Sequence, residues 1–85
     1  MPRFICVHSH AFTEEELIGL AQRRGDIPAG LTWRGSWTTT ESIGYCEWEG
    51  PDAQAVRNVL EANQIPLEAI HEVRYFDPDA GAFVA

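Results

Sequence analysis

Lysine is absent from the 85-residue chain: all six cations are arginines, and thirteen acidic side chains leave a formal net charge of −7. An acidic chain repels phosphate, and the third strand lacks the basic and aromatic pattern that stacks on bases, so nucleic acid is disfavoured as a partner. Cysteine is scarce. Cys6 and Cys46 stand far apart, outside any Cys-x-x-Cys pair, which argues against a zinc knuckle or a copper chaperone. Each is expected to be a small buried hydrophobe in a strand. No apolar run approaches the length of a membrane span, and the N-terminus lacks the basic-then-apolar profile of a secretory signal. The expectation is therefore a cytoplasmic protein with no membrane partner. No serine or threonine sits in a nucleophile elbow, and the glycines between Gly25 and Gly30 have neither the spacing nor the charge of a phosphate-binding loop.

What is present is ordinary globular material, 45% hydrophobic and 22% charged, which is enough apolar surface to fold. The length fits one domain spanning residues 1–85. A chain this short buries only about 60–65% of its unfolded surface, so a second copy is a natural supplement to a small core.

The run from Tyr45 to Arg57 is the most informative stretch. It reads as an alternating strand, a Gly50-Pro51 break and an amphipathic helix opened by Asp52. The same grammar runs from Phe4 to Gln22: a strand over Phe4–His10, then a helix opened by Thr13, with Glu16 completing a capping box and Gly25 as the stop. Strands are expected at Leu31–Thr38, with Trp33, Gly35 and Trp37 on one face, at Tyr45–Glu49 and at Ile70–Phe76. Pro66 prevents continuation of the second helix past Asn63. Gly81 to Ala85 forms a short tail carrying Phe83 and Val84. The order β-α-β-β-α-β predicts an α+β, ferredoxin-like βαββαβ sandwich: a four-stranded antiparallel sheet of order 4-1-3-2 with two helices on one face.

The segments Met1-Pro2-Arg3-Phe4-Ile5, Tyr45-Cys46-x-Trp48-Glu49-x-Pro51 and Ile65-Pro66 with Ile70-x-Glu72-Val73 resemble a family of small bacterial ferredoxin-like proteins. At least one member of that family is described as nickel-binding. The resemblance runs from Met1 to Pro78 and implies a homodimer of such subunits with affinity for a transition metal. Members often carry a Glu-Arg pair late in the first strand, where this chain has Val7-His8-Ser9-His10. The resemblance therefore carries over the fold and the dimer, and no ligand.

The candidate site comes from the chain's own pattern. If Ile5 and Val7 face the helices, Cys6, His8 and His10 point to the open face of the sheet. There they would meet Tyr45, Glu47 and Glu49 from the third strand and Glu72 and Arg74 from the fourth. Imidazoles at alternate strand positions beside carboxylates suit nickel or another divalent transition metal, so His8, His10, Glu47 and Glu72 are the expected ligands. Ligation by histidine predicts binding that weakens below about pH 6.

Two other readings stay open. One is a cofactor-free enzyme, an oxygenase or isomerase of a small apolar molecule, with a closed pocket holding Trp33 or Trp37 and a histidine base. The other is a structural dimerisation module in which these polar groups pair across the interface. The leading expectation is a metal-binding homodimer that buffers, carries or senses the metal.

Overall fold

The computed structural model describes residues Met1–Val84; Ala85, the last residue of the expected tail, lies outside the described residues. The elements are β1 (Arg3–His8), α1 (Glu14–Gln22), β2 (Thr32–Thr38), β3 (Gly44–Glu49), α2 (Ala53–Ala62), β4 (Ala69–Val73), β5 (Tyr75–Asp77) and β6 (Ala82–Val84). A 3-10 turn at Arg24–Asp26 follows α1. The main sheet has the order β2-β3-β1-β4, which is the expected 4-1-3-2 read from its other edge, and every pairing is antiparallel.

The helix starts follow the sequence. Thr13 Oγ1 accepts the Glu16 backbone N–H at 3.2 Å, and Glu16 Oε1 accepts the Thr13 N–H at 2.9 Å, a complete capping box. Asp52 Oδ1 accepts the Ala55 N–H at 2.8 Å to open α2. At the far end of α2, Asn63 donates its side-chain amide to the Val59 carbonyl at 2.9 Å, and Gln64 turns the chain with a left-handed φ of 57°.

Directly opposed residues of antiparallel strands share a face, so the register sorts the sheet into rows. Facing the helices are Ser36–Cys46–Cys6–Ile70, flanked on one side by Trp33–Trp48–Phe4–Glu72 and on the other by Thr38–Gly44–His8. Facing away are Trp37–Tyr45–Val7–Ala69, Gly35–Glu47–Ile5–His71 and Thr32–Glu49–Arg3–Val73. Phe4, Cys6, Cys46 and Trp48 join Val56, Val59 and Leu60 of α2 in the core. By contrast, α1 has no fully buried residue.

Four expectations are corrected here. In β1 it is Phe4, Cys6 and His8 that are buried under the helices, while Ile5 and Val7 lie half-buried on the open face. Alternation between two apolar sets does not say which set is inside. The partner strand does, because Cys46 and Trp48 are buried and pair with Cys6 and Phe4.

In β2 a register shift between Trp33 and Gly35 sends Trp33 to the helix face, leaving Gly35 and Trp37 on the open one. β1 ends at His8, so His10 is not a strand residue.

Finally, the fourth strand stops at Val73, and Tyr75–Asp77 pairs with Ala82–Val84 in a separate hairpin. The Phe83 expected in the tail packs edge-on against Phe76 at 5.5 Å and lies under the Arg74 guanidinium at 4.0 Å. Hairpin and tail together leave Tyr75, Phe76, Phe83 and Val84 exposed.

Candidate functional site

The four expected ligands occupy four different places. His8 is fully buried on the helix face, and Glu47 lies on the open face. Glu72 sits on edge strand β4 in the row of Phe4, on the helix side, and is exposed. His10 stands in the bend after β1. The expected cluster on the open face does not assemble, because it required Val7 to face the helices. Among the described residues no group of three or more His, Cys, Asp or Glu side chains could hold a metal ion.

Three of the four have found other company. The ring of His8 stands against the Pro66 carbonyl oxygen, 2.6 Å from Nδ1. A carbonyl can only accept, so Nδ1 carries the proton and Nε2 keeps a lone pair. That Nε2 is buried without a partner. Burial pushes the imidazole pKa down, the Pro66 bond opposing it in part, so His8 stays neutral.

Glu47 lies 3.5 Å from Arg3, which also bonds Glu49 at 3.2 Å, and Arg34 approaches Glu49 at 3.6 Å. The open-face carboxylates are therefore already paired with arginines.

His10 meets a carboxylate that the strand pattern did not point to. Its Nε2 is 3.0 Å from both Glu16 oxygens. Two local features fix this contact. The capping box folds the Glu16 side chain back toward Thr13, three residues beyond His10, and its Thr13 backbone bond, followed by His10, holds the Glu16 carboxyl below the usual range. Gly44 fixes the other side: a Cβ there would lie 2.5 Å from the His10 carbonyl oxygen and 3.1 Å from the Phe12 ring, so only glycine lets the bend lie against β3. Phe12 in turn packs edge-on to both His10 and His8, at 4.8 and 5.4 Å. The signal for Glu16 was present in the sequence as the capping box itself.

The two cysteines oppose one another across β1 and β3 and are free and buried. Burial, with Cys46 adding to it, pushes the Cys6 thiol up to about 12, and burial also raises Cys46. Neither is a ready thiolate, so nucleophilic chemistry is not available to them at neutral pH.

A cavity of about 380 Å³ opens between the helices and the sheet. It holds Trp33 and not Trp37, and no histidine lines it, so the expected histidine base does not stand there.

These features define a small ferredoxin-like α+β domain with an exposed imidazole–carboxylate pair at the end of its first strand. Residues 4–73 match the family described as nickel responsive protein SCO4226-like, and the chain belongs to that family. Its fold is that of the crystal structure of SCO4226 from Streptomyces coelicolor A3(2), to which it is 29% identical, with a TM-score of 0.68 over 84% of this chain and 94% of that one. Comparison with curated proteins yields no match. The matched stretch ends with β4, so the aromatic hairpin of β5 and β6 lies beyond it.

Proposed function

We propose that this protein binds nickel as a homodimer and serves the cell as a buffer, carrier or sensor of that metal. Membership of a nickel-responsive family carries this reading. The pairing of His10 with Glu16 supports it from the geometry, because imidazole with carboxylate is a donor set that nickel accepts and this one is exposed. Among the described residues, a single chain brings these two side-chain donors together there. The remaining coordination positions fall to water or to a donor from the second copy, which gives the dimer a chemical purpose.

The open face supports association. Its row Trp37–Tyr45–Val7–Ala69 is apolar from edge to edge, with Trp37 51% exposed. A two-fold arrangement would lay this row against itself and leave the Arg3–Glu49 and Arg3–Glu47 pairs at the rim.

Calorimetric titration with nickel, beside sedimentation to fix the oligomeric state, tests the reading. The expected result is a dimer that binds on the order of micromolar or tighter, with affinity reduced at least about tenfold by His10→Ala and less by Glu16→Gln. Protons compete with the metal for imidazole, so affinity should also fall as the solution is acidified. A monomer that ignores nickel, or binding unmoved by His10→Ala, contradicts the proposal.

A further inference from the structure

His10 and Glu16 line a groove of about 620 Å³ between α1 and the turn that follows α2, and Arg23 and Gln64 line it with them. Glu16, Leu20 and Arg23 recur at helical spacing, so they share one face of α1 and its C-cap. The span from Glu16 to Arg23 rises about 10 Å along the helix, roughly two turns. The space between the imidazole–carboxylate pair and the guanidinium is therefore too wide for direct contact and of a size for a small molecule.

Arg3 and Arg34 are already held by Glu47 and Glu49. Arg23 is exposed and, among the described residues, forms no ion pair with Glu16 or any other carboxylate. Nickel with nitrogen and oxygen donors takes a square-planar or tetragonal set of at least four, of which His10 and Glu16 supply one each. A divalent ion and Arg23 set against ionised Glu16 leave two positive charges in the groove, which two carboxylates would balance. The bare ion fills its open positions with water and meets Arg23 as a like charge. A small chelator that already holds the ion fills those positions and presents a carboxylate to the guanidinium.

We propose that this groove takes nickel as its complex with a small aminocarboxylate chelator, His10 and Glu16 completing the coordination of the ion and Arg23 holding a carboxylate of the chelator. The inference rests on the nickel reading above and names the form in which the metal is taken.

The probes are the nickel complexes of iminodiacetate and of diethylenetriamine. Both chelators are tridentate and similar in size, but only iminodiacetate carries carboxylates. Each complex, and nickel alone, is titrated into the full chain by calorimetry. Arg23→Gln should weaken the iminodiacetate complex about fivefold, the scale of a partly solvated Arg–carboxylate pair, and leave the diethylenetriamine complex and nickel alone within about twofold. Arg23→Lys keeps the charge and should recover part of the loss. The Arg23 Nε–H resonance should move with the iminodiacetate complex and stay in place with the other. His10→Ala should weaken both complexes, because it removes the shared anchor.

Nickel that binds alone while neither complex does, or an Arg23→Gln effect equal for the two complexes, overturns this proposal and leaves the nickel reading standing. No binding of nickel in any of the three forms, or binding unmoved by His10→Ala, overturns both.

Discussion

The two faces of the sheet are built from the same four strands and behave as opposites. The helix face is buried and nearly uncharged, with a sulfur row at its centre, a neutral histidine at one end and a stacked tryptophan pair at the other. The open face carries an apolar row at one end and arginine–glutamate pairs at the other, half-buried at most. One sequence supports both because successive residues of each strand point in opposite directions. The difference teaches that the helix face stores the stability of the domain, while the open face is free for association.

The largest test of this division is truncation on each face. Leu60→Ala removes a side chain that is 1% exposed and should cost about 2–5 kcal/mol in urea unfolding. Ile5→Ala on the half-buried open face should cost about 1 kcal/mol in the isolated subunit. A larger, concentration-dependent loss for Ile5→Ala would locate a second copy on that face.

The next test uses pH, because the helix face holds Cys6, Cys46 and His8, whose pKa values burial shifts. The Cys6 thiol has been raised from 9.0 to about 12, so the unfolded chain loses its proton first. Stability should be complete below about pH 9 and fall as pH rises above it, by roughly 1 kcal/mol for the first unit. Cys6→Ala should flatten that limb.

His8 behaves in the opposite sense, its imidazole having been lowered from 6.5. Its contribution is complete above about pH 6.5 and is lost as pH falls through its lower native value, because the unfolded chain binds the proton first. Urea unfolding across pH, with His8→Asn as the control, reads this directly; a variant with an unchanged acid limb would contradict the buried neutral imidazole.

The smallest effect belongs to the open-face ion pairs. Arg3→Ala should cost less than about 1 kcal/mol, since these charges remain partly solvated, and the loss should shrink in high salt.

The order of elements could be read from the chain because its signals are chemical and local. Thr13 with Glu16 and Asp52 with the Ala55 amide mark the helix starts, and Pro66 closes the second. Faces are a non-local property. Ile5 and Val7 are better strand hydrophobes than Cys6 and His8, and taken alone they claim the core. Only the pairing of Cys6 with Cys46 and Phe4 with Trp48 reverses that assignment.

The bulge at Trp33 is a similar case. Gly35 between two tryptophans is the residue that hints at it, but a run of alternating aromatics looks regular until its partner strand is known. The site suffered accordingly. His8 and Glu47 each lie in the strand their pattern indicates, and a one-residue change of face separates them. His10 with Glu16 depends on a bend and a cap, which strand periodicity does not see.

The most direct measurement of the functional account is an amide NMR titration of the whole chain with nickel. Shifted or broadened resonances centred on His10 and Glu16 are expected, with the Cys6–Cys46 row and the Trp48 indole unmoved. Perturbation centred on His8 and the cysteines, or no perturbation at millimolar nickel, would contradict it.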